Sequence, residues 1–489
     1  MKKLTLSLIA VLISFVSSAQ YVSPGTGLTL SLDDIAAASP STVSGEDGEY
    51  LISENITISE GDTLNIEGDL FIEMEEDVLI TIAGIFNVDG GEEEGILFTA
   101  ADIEAPFEGF RFEQGSEITL RGATFEYGGG LRVLTENFLV EWCVFLDIVG
   151  GGATTSAVIQ LSRGVPIIRH NLIGHNYLPA IGSAANVAVS PFIFDNMILD
   201  NNLDNSNRPQ INLGVSLADT PTIIRDNLII GNEETTMVGG IALANLVGTN
   251  LNGEISGNII AENRYGITVI GKADDVKIFD NIIEGNNTQN EPMQGGSGIS
   301  ISSGSAGNPV QIYRNEIREN LWGITVIDAK VNLGDEGENP GNNIFADNGN
   351  SGDVVALYNN SSFEIQAKNN CWIEGQESTY EDVEEVIVHA FDDPTLGEVF
   401  FDPFLCGVLG VEDFLSEKFT FYPNPATDVI NFENKDFDFV AIYDLGGRLI
   451  SEVQTITGTN QLELNLAKGI YILKFSNKKH TVSKKLIVR

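Results

Sequence analysis

Apolar and polar residues alternate along Tyr50–Gly90, YLISENITISEGDTLNIEGDLFIEMEEDVLITIAGIFNVDG, and again along Phe110–Leu134. A period of two sustained over such runs predicts half-buried strands. From Val158 onward the pattern shortens. Runs of Ile and Val such as PIIRHNLI, PTIIRDNLI, VKIFDNII and GITVI are broken by Asn, Gly and Asp. They are too short for helices and predict strands of about three to five residues between tight corners. SLDDIAAASP (Ser31–Pro40) predicts a short helix, with Ser31 as its N-cap, Asp33 and Asp34 in the first turn and Pro40 as the stop.

The later runs share a phrase. NIIAENRYGITVI (Asn258–Ile270) and NEIRENLWGITVI (Asn315–Ile327) are close copies, and the same opening recurs at Asn171, Asn196, Asn227, Asn281 and Asn343, then less faithfully at Asn370. Successive spacings are 25, 31, 31, 23, 34, 28 and 27 residues. A period of this size marks a stacked solenoid, and its variation marks coils that tolerate inserted loops. Asn is expected at one corner of every coil. It tolerates the left-handed backbone and can bond its amide to the Asn above and below. The Gly before Ile is expected to serve another tight bend, and the inward Ile residues to stack as one dry column.

Across roughly Val158–Phe404 this N-x-I-x-x-N-x-x-G-I phrase resembles the right-handed parallel β-helix repeat family. The resemblance implies an all-β fold with three strands per coil, eight to twelve coils and a rod of roughly 40–60 Å. The alternating segments upstream then read as earlier coils, and the Ser31–Pro40 helix as a lid on the first one. NNCWIEG (Asn369–Gly375) and FDDPTLGEVFFDPFL (Phe391–Leu405) look like the closing coil.

After Cys406 the repeat stops. FYPNPATDVINFE, VAIYDLGGRLI, LELNLAKGIYILKF and KKLIVR read as strands of a small antiparallel, immunoglobulin-like sandwich. Tyr422-Pro423-Asn424-Pro425, Asp444-Leu445-Gly446-Gly447-Arg448, Lys468-Gly469-Ile470-Tyr471 and Lys484-Lys485-Leu486 resemble, in order, the subfamily A sorting domain of the type IX secretion pathway. The resemblance implies handling by an outer-membrane translocon, removal of the tail, and release or anchoring of the body at the cell surface. Met1–Ala19 has the basic end, apolar run and small-residue site of a cleaved export signal. The expected organisation is a signal peptide (1–19), a capped β-helix (20–406), a linker (407–418) and a sorting domain (419–489), with no membrane-spanning segment in the mature chain.

Charge narrows the partners. Of 70 acidic and 26 basic residues, the part from Glu412 onward holds ten of each, leaving 60 acidic against 16 basic in the rest. Such a body repels nucleic acid, anionic membranes and, unless calcium bridges the two, polyanionic polysaccharide. Cys143, Cys371 and Cys406 are too few for a disulfide framework. Cys371 and Cys406 could pair, with separate buried thiols the favoured reading.

Candidate chemistry is sparse. Asp195, Asp226 and Asp280 each precede a ladder Asn and so form a column of carboxylates, but a turn role outranks hydrolysis there. Arg169 and Arg225, two residues before their Asn, could serve a uronate lyase, with pairing to neighbouring acids favoured. Asp200, Asn202 and Asp204 begin like a calcium loop that lacks its Gly and distal Glu. Tyr265 and Trp322 precede the Gly-Ile bend in register and could form a sugar platform. These features point to an exported protein that binds extracellular polysaccharide or glycan on an outer sheet. The alternatives are a polysaccharide lyase or glycoside hydrolase, and a structural or adhesive surface protein.

Overall fold

The computed structural model describes residues 20–488 except 92–94, 292–293, 303–306, 351–352, 406–420, 424–425, 435–436, 444–448, 456–457, 468 and 477–480. The expected export signal and linker, and Cys406, lie outside the described residues. So do Asn424, Pro425, Gly446 and Gly447 of the sorting motifs.

The chain winds through three parallel sheets in turn. The first and second have 14 strands each and the third has 13. One winding shows the pattern: Ile159–Leu161 joins the first sheet, Ile167–Arg169 the second and Leu172–Gly174 the third, before Ile181–Ser183 returns to the first. Nine strands of the first sheet, from Ile159–Leu161 to Ile387–Val388, fall within Val158–Phe404, inside the eight to twelve coils expected there. The alternating N-terminal strands stack in register beneath the Asn-marked ones, giving a rod of roughly 60 Å.

Inward side chains form continuous columns. In the third sheet, Phe98, Phe125, Phe145, Ile173, Ile198, Ile229, Ile260, Ile283, Ile317 and Phe345 succeed one another in register. All are buried. At the N-terminal end, helix Leu32–Ala38 closes this bore with Leu32 and Ile35, and Ser31 forms a capping box with Asp34. A second helix, Tyr380–Glu385, lies near the other end with Val383 buried. It was not expected, although Thr379 and Asp382 spell its capping box.

The corner asparagines form the expected ladder. Each amide nitrogen bonds the next Asn oxygen, from Asn171 through Asn196, Asn227, Asn258, Asn281, Asn315 and Asn343 to Asn370, at 2.9–3.0 Å. The backbone reason differs from expectation. The left-handed residue is the one before each Asn: His170, Asp195, Asp226, Gly257, Asp280, Arg314 and Asn342 all have positive φ. The Asn itself accepts from the previous Asn N–H and donates inward to a backbone carbonyl, as Asn258 does to Ile224 at 3.0 Å.

A second ladder runs beside it, built from the Asn five residues on. It links Asn176 to Asn201, then Asn263, Asn286, Asn320 and Asn348. Gln210 bridges its gap, bonding Asn201 and Asn263 at 3.0 Å each, while Asn232 turns aside to cap Glu234. Each three-residue strand of the third sheet is thus clamped at both ends.

The Gly before Ile does not serve a left-handed bend either. Gly240, Gly266, Gly298 and Gly323 are there for space: a Cβ on Gly266 would lie 2.5 Å from the Gly298 carbonyl oxygen.

The C-terminal unit pairs a three-stranded with a four-stranded antiparallel sheet. Ile430, Phe432, Val440, Leu473, Phe475 and Leu486 pack between them.

Candidate ligand-binding face

The Asn-bearing corner presents its left-handed residues outward. Asp195, Asp226 and Asp280 hold φ of 54°, 56° and 56°. Asp280 receives Arg314 through two bonds of 2.7 and 2.8 Å. Burial, with Asp195 nearby, raises the Asp226 carboxyl against the pull of Arg225. Next to this corner, one outward column of the second sheet reads Arg121, Glu141, Arg169, Phe194, Arg225, Ser256, Phe279, Tyr313. Glu141 is buried between two guanidiniums, with Arg169 Nε at 2.6 Å and Arg121 Nε at 2.7 Å. Burial alone would raise its carboxyl, but these bonds and charges hold it below the ordinary value. Arg225 sits 3.5 Å from Asp226 and over the Phe192 and Phe194 rings at 5.1 and 5.2 Å. Arg169 and Arg225 thus carry local contacts on the second sheet. Asn202, in the acidic loop, spends its amide on Ser206 and Arg208 backbone carbonyls at 2.8 and 2.9 Å.

Trp322 opens the first-sheet strand Trp322–Ile327 and Tyr265 lies two residues before the first-sheet strand Ile267–Gly271, so the four ligand candidates occupy two different faces. Tyr265 folds over Gly239, where a Cβ would fall 2.2 Å from its ring, and burial pushes its phenol up to about 12. Trp322, two coils further, stacks on Tyr358 with ring centroids 5.5 Å apart. Both rings of that pair are half-buried.

The outward column of this first sheet was not singled out in the sequence. In register it reads Arg111, Arg132, Gln160, Gly182, Asn212, Ala242, Thr268, Ser300, Thr325, Tyr358. Two guanidiniums stand at one end and an aromatic pair at the other, with small polar or apolar side chains between. The span is nine strand spacings, roughly 43 Å. Gln160, Ala242 and Thr268 face outward yet are only 4%, 4% and 8% exposed, so the face is recessed there. Period-two alternation in EGFRFEQ, LRVL and VIQL places these residues outward. Their alignment from coil to coil needs the register.

The third sheet faces outward with Leu146, Leu199, Leu228, Ile230 and Ile259, against a cavity of about 410 Å³ whose lining also includes Ile472 and Lys484.

The C-terminal unit settles what handles the chain. Residues 420–489 match the secretion system C-terminal sorting domain. The chain is a parallel β-helix protein with a type IX sorting tail. Residues 202–376 of the β-helix match a protein of unknown function (DUF1565). Comparison with curated proteins gives no match. The protein is secreted through the type IX machinery and released or attached at the cell surface, and the tail is removed. Among the described residues, no helix of the β-helix protein is long and apolar enough to cross a membrane. Within the sorting tail, Pro423 follows strand Phe421–Tyr422 and Gly469 opens strand Gly469–Ser476. Tyr471 packs in the core and donates its hydroxyl to the Ala467 carbonyl at 2.8 Å. Lys484 and Lys485 lie on the last strand, opposite Leu473 and Ile472.

Proposed function

We propose that the β-helix is a polysaccharide-binding rod that lays an extracellular glycan chain along the outward face of its first sheet. The carrying observation is the recessed column from Arg111 to Tyr358: a straight strip of small side chains ending in the Trp322–Tyr358 stack. Sugar rings stack on half-buried aromatic faces, and a linear polymer matches a linear strip. Export to the cell surface brings such a strip to its ligand. No carboxylate interrupts the column, which favours binding over hydrolysis at this face.

The test is a glycan array probed with the purified protein and with Trp322→Ala and Tyr358→Ala. Each variant is expected to lose about tenfold or more in affinity for the bound glycans, the effect of losing a central aromatic anchor. Undiminished binding by both variants sinks the reading.

Hydrolysis has one observation in its favour. Asp195 and Asp226 sit on adjacent coils at the Asn corner, and burial raises the Asp226 carboxyl above its ordinary value. Reducing ends released from a polysaccharide panel, and lost in Asp226→Asn, would support it.

A further inference from the structure

Arg132 is anomalous in this acidic chain. It lies half-buried on the outward face of the first sheet, and its side chain makes no hydrogen bond or ion pair with any described residue. Most other guanidiniums of the rod are matched, as Arg111 is with Glu113, Arg121 and Arg169 with Glu141 and Arg314 with Asp280, while the buried Arg264 gives its terminal nitrogens to the Asn207 amide oxygen and the Gln294 carbonyl. Arg163 and Arg208, which also have no ion pair among the described residues, are exposed to water. The residue directly opposite Arg132 in the preceding strand is Arg111. Like charges facing each other across a parallel ladder are destabilising. Burial, with the Arg111 charge behind it, depresses the Arg132 guanidinium. On the following strand Gln160 is 4% exposed, and its Oε1 is buried without a hydrogen-bond partner. That oxygen lies over Gly182, where a Cβ would come within 3.3 Å of it. Two successive coils therefore present two guanidiniums on one face, and the next carries a buried amide folded over Gly182.

A half-buried, unmatched guanidinium costs stability that an anion would restore. Its fork offers paired donors to the two oxygens of a carboxylate or to a sulfate. We propose that Arg132, with Arg111 behind it, is an oxyanion subsite that receives the acidic substituent of a polysaccharide at the N-terminal end of the strip. The proposal rests on the binding reading above and names the ligand class for the same face. The negative charge of the rest of the body opposes approach of a polyanion, but that repulsion is screened beyond roughly 10 Å at ordinary salt, whereas the guanidinium acts at contact.

The experiment titrates the full chain by calorimetry with neutral, uronate-containing and sulfated oligosaccharides of equal length. Carboxylate and sulfate arms separate the two sources of the oxyanion. The parent is expected to prefer one acidic series over the neutral one, and Arg132→Gln to lose about tenfold or more of that preference. Arg132→Lys, which keeps the charge without the fork, should fall between them, and Arg163→Gln should match the parent. Arg132→Gln should fold as well as the parent or better, since it removes a like-charge contact; circular dichroism and a thermal melt check this. Equal binding of acidic and neutral chains, or an Arg132→Gln variant that keeps the full preference, overturns the subsite while leaving the strip standing if Trp322→Ala still weakens binding. No binding of any oligosaccharide overturns both.

Discussion

One inward column of the third sheet changes from phenylalanine to isoleucine at the coil where the asparagine ladders begin. Phe98, Phe125 and Phe145 stack face to face with centroids 4.9 and 5.0 Å apart. The next coils set Ile173, Ile198, Ile229, Ile260, Ile283 and Ile317 in the same column. The corners change at the same place. The early coils turn on glycines such as Gly122, with φ of 62°, while the later ones carry the two asparagine ladders. Strand length accounts for the change at the corners. Early third-sheet strands such as Leu70–Met74 and Ile96–Ala100 are five residues long, whereas Leu172–Gly174 and each of its successors through Ile344–Ala346 have three. A short strand makes few backbone bonds, so its register is weakly fixed. Side-chain amides at both ends supply the missing specification, whereas the longer early strands fix their own register.

The comparison is most severely tested in the phenylalanine stack. Phe125→Ala is expected to cost about 3–5 kcal/mol, measured by denaturant unfolding of the full chain. A cost no larger than that of Ile260→Ala would mean that the rings contribute nothing beyond their buried area. Next comes the ladder. Asn258→Ala deprives the Asn227 backbone N–H and side-chain amide of their acceptor and leaves the Ile224 carbonyl without its donor. A loss of about 2–4 kcal/mol is expected, together with lost hydrogen-exchange protection at the Asn227 amide. Protection unchanged there would show that backbone bonds alone hold the short strands.

The smallest effect concerns pH. In the first coil the corner is held by a charge, since Asp62 accepts the backbone N–H groups of Gly25, Thr26, Gly27 and Leu28 at 2.7–2.9 Å. Burial would raise this carboxyl, but bonds from Ser23 and from those N–H groups hold it at about 2. Its folded value lies below the unfolded one of about 3.9, so its contribution is fully present above that value and is lost as pH falls through about 2. Asp62→Asn should therefore be less stable than the parent at neutral pH, and the gap should close between about pH 4 and pH 2. Asn258→Ala, which removes a group that does not titrate, should show a gap that is flat over the same interval. A pH-independent Asp62→Asn gap would place the first coil with the laddered ones.

Much of the architecture was legible because each coil repeats one chemical requirement. The Asn period gave the solenoid and the ladder, and Ser31 as N-cap, with the acidic first turn and Pro40 as the stop, gave the lid. The reason assigned to the corner was displaced by one residue: the left-handed strain sits on Asp195 or Asp226, while Asn196 and Asn227 carry the bonds. Text alone cannot separate two adjacent polar residues by backbone angle. The second ladder was visible as an Asn five residues on, but Gln210 standing in for Asn232 was not, since it belongs to a different coil position. Arg169, Arg225, Tyr265 and Trp322 were drawn together by chemistry and lie on two faces.

What the sequence determined by itself was local and periodic: strand, corner, lid and the sorting motifs of the tail, each written in residues a few positions apart. Only the tertiary structure decided which distant side chains stand beside one another. Arg111, Arg132 and Gln160 are separated by 21 and 28 residues and occupy adjacent rungs of one column. The loops between coils vary in length, so their spacing along the chain carries no record of that neighbourhood. Hydrogen bonding between successive windings creates it.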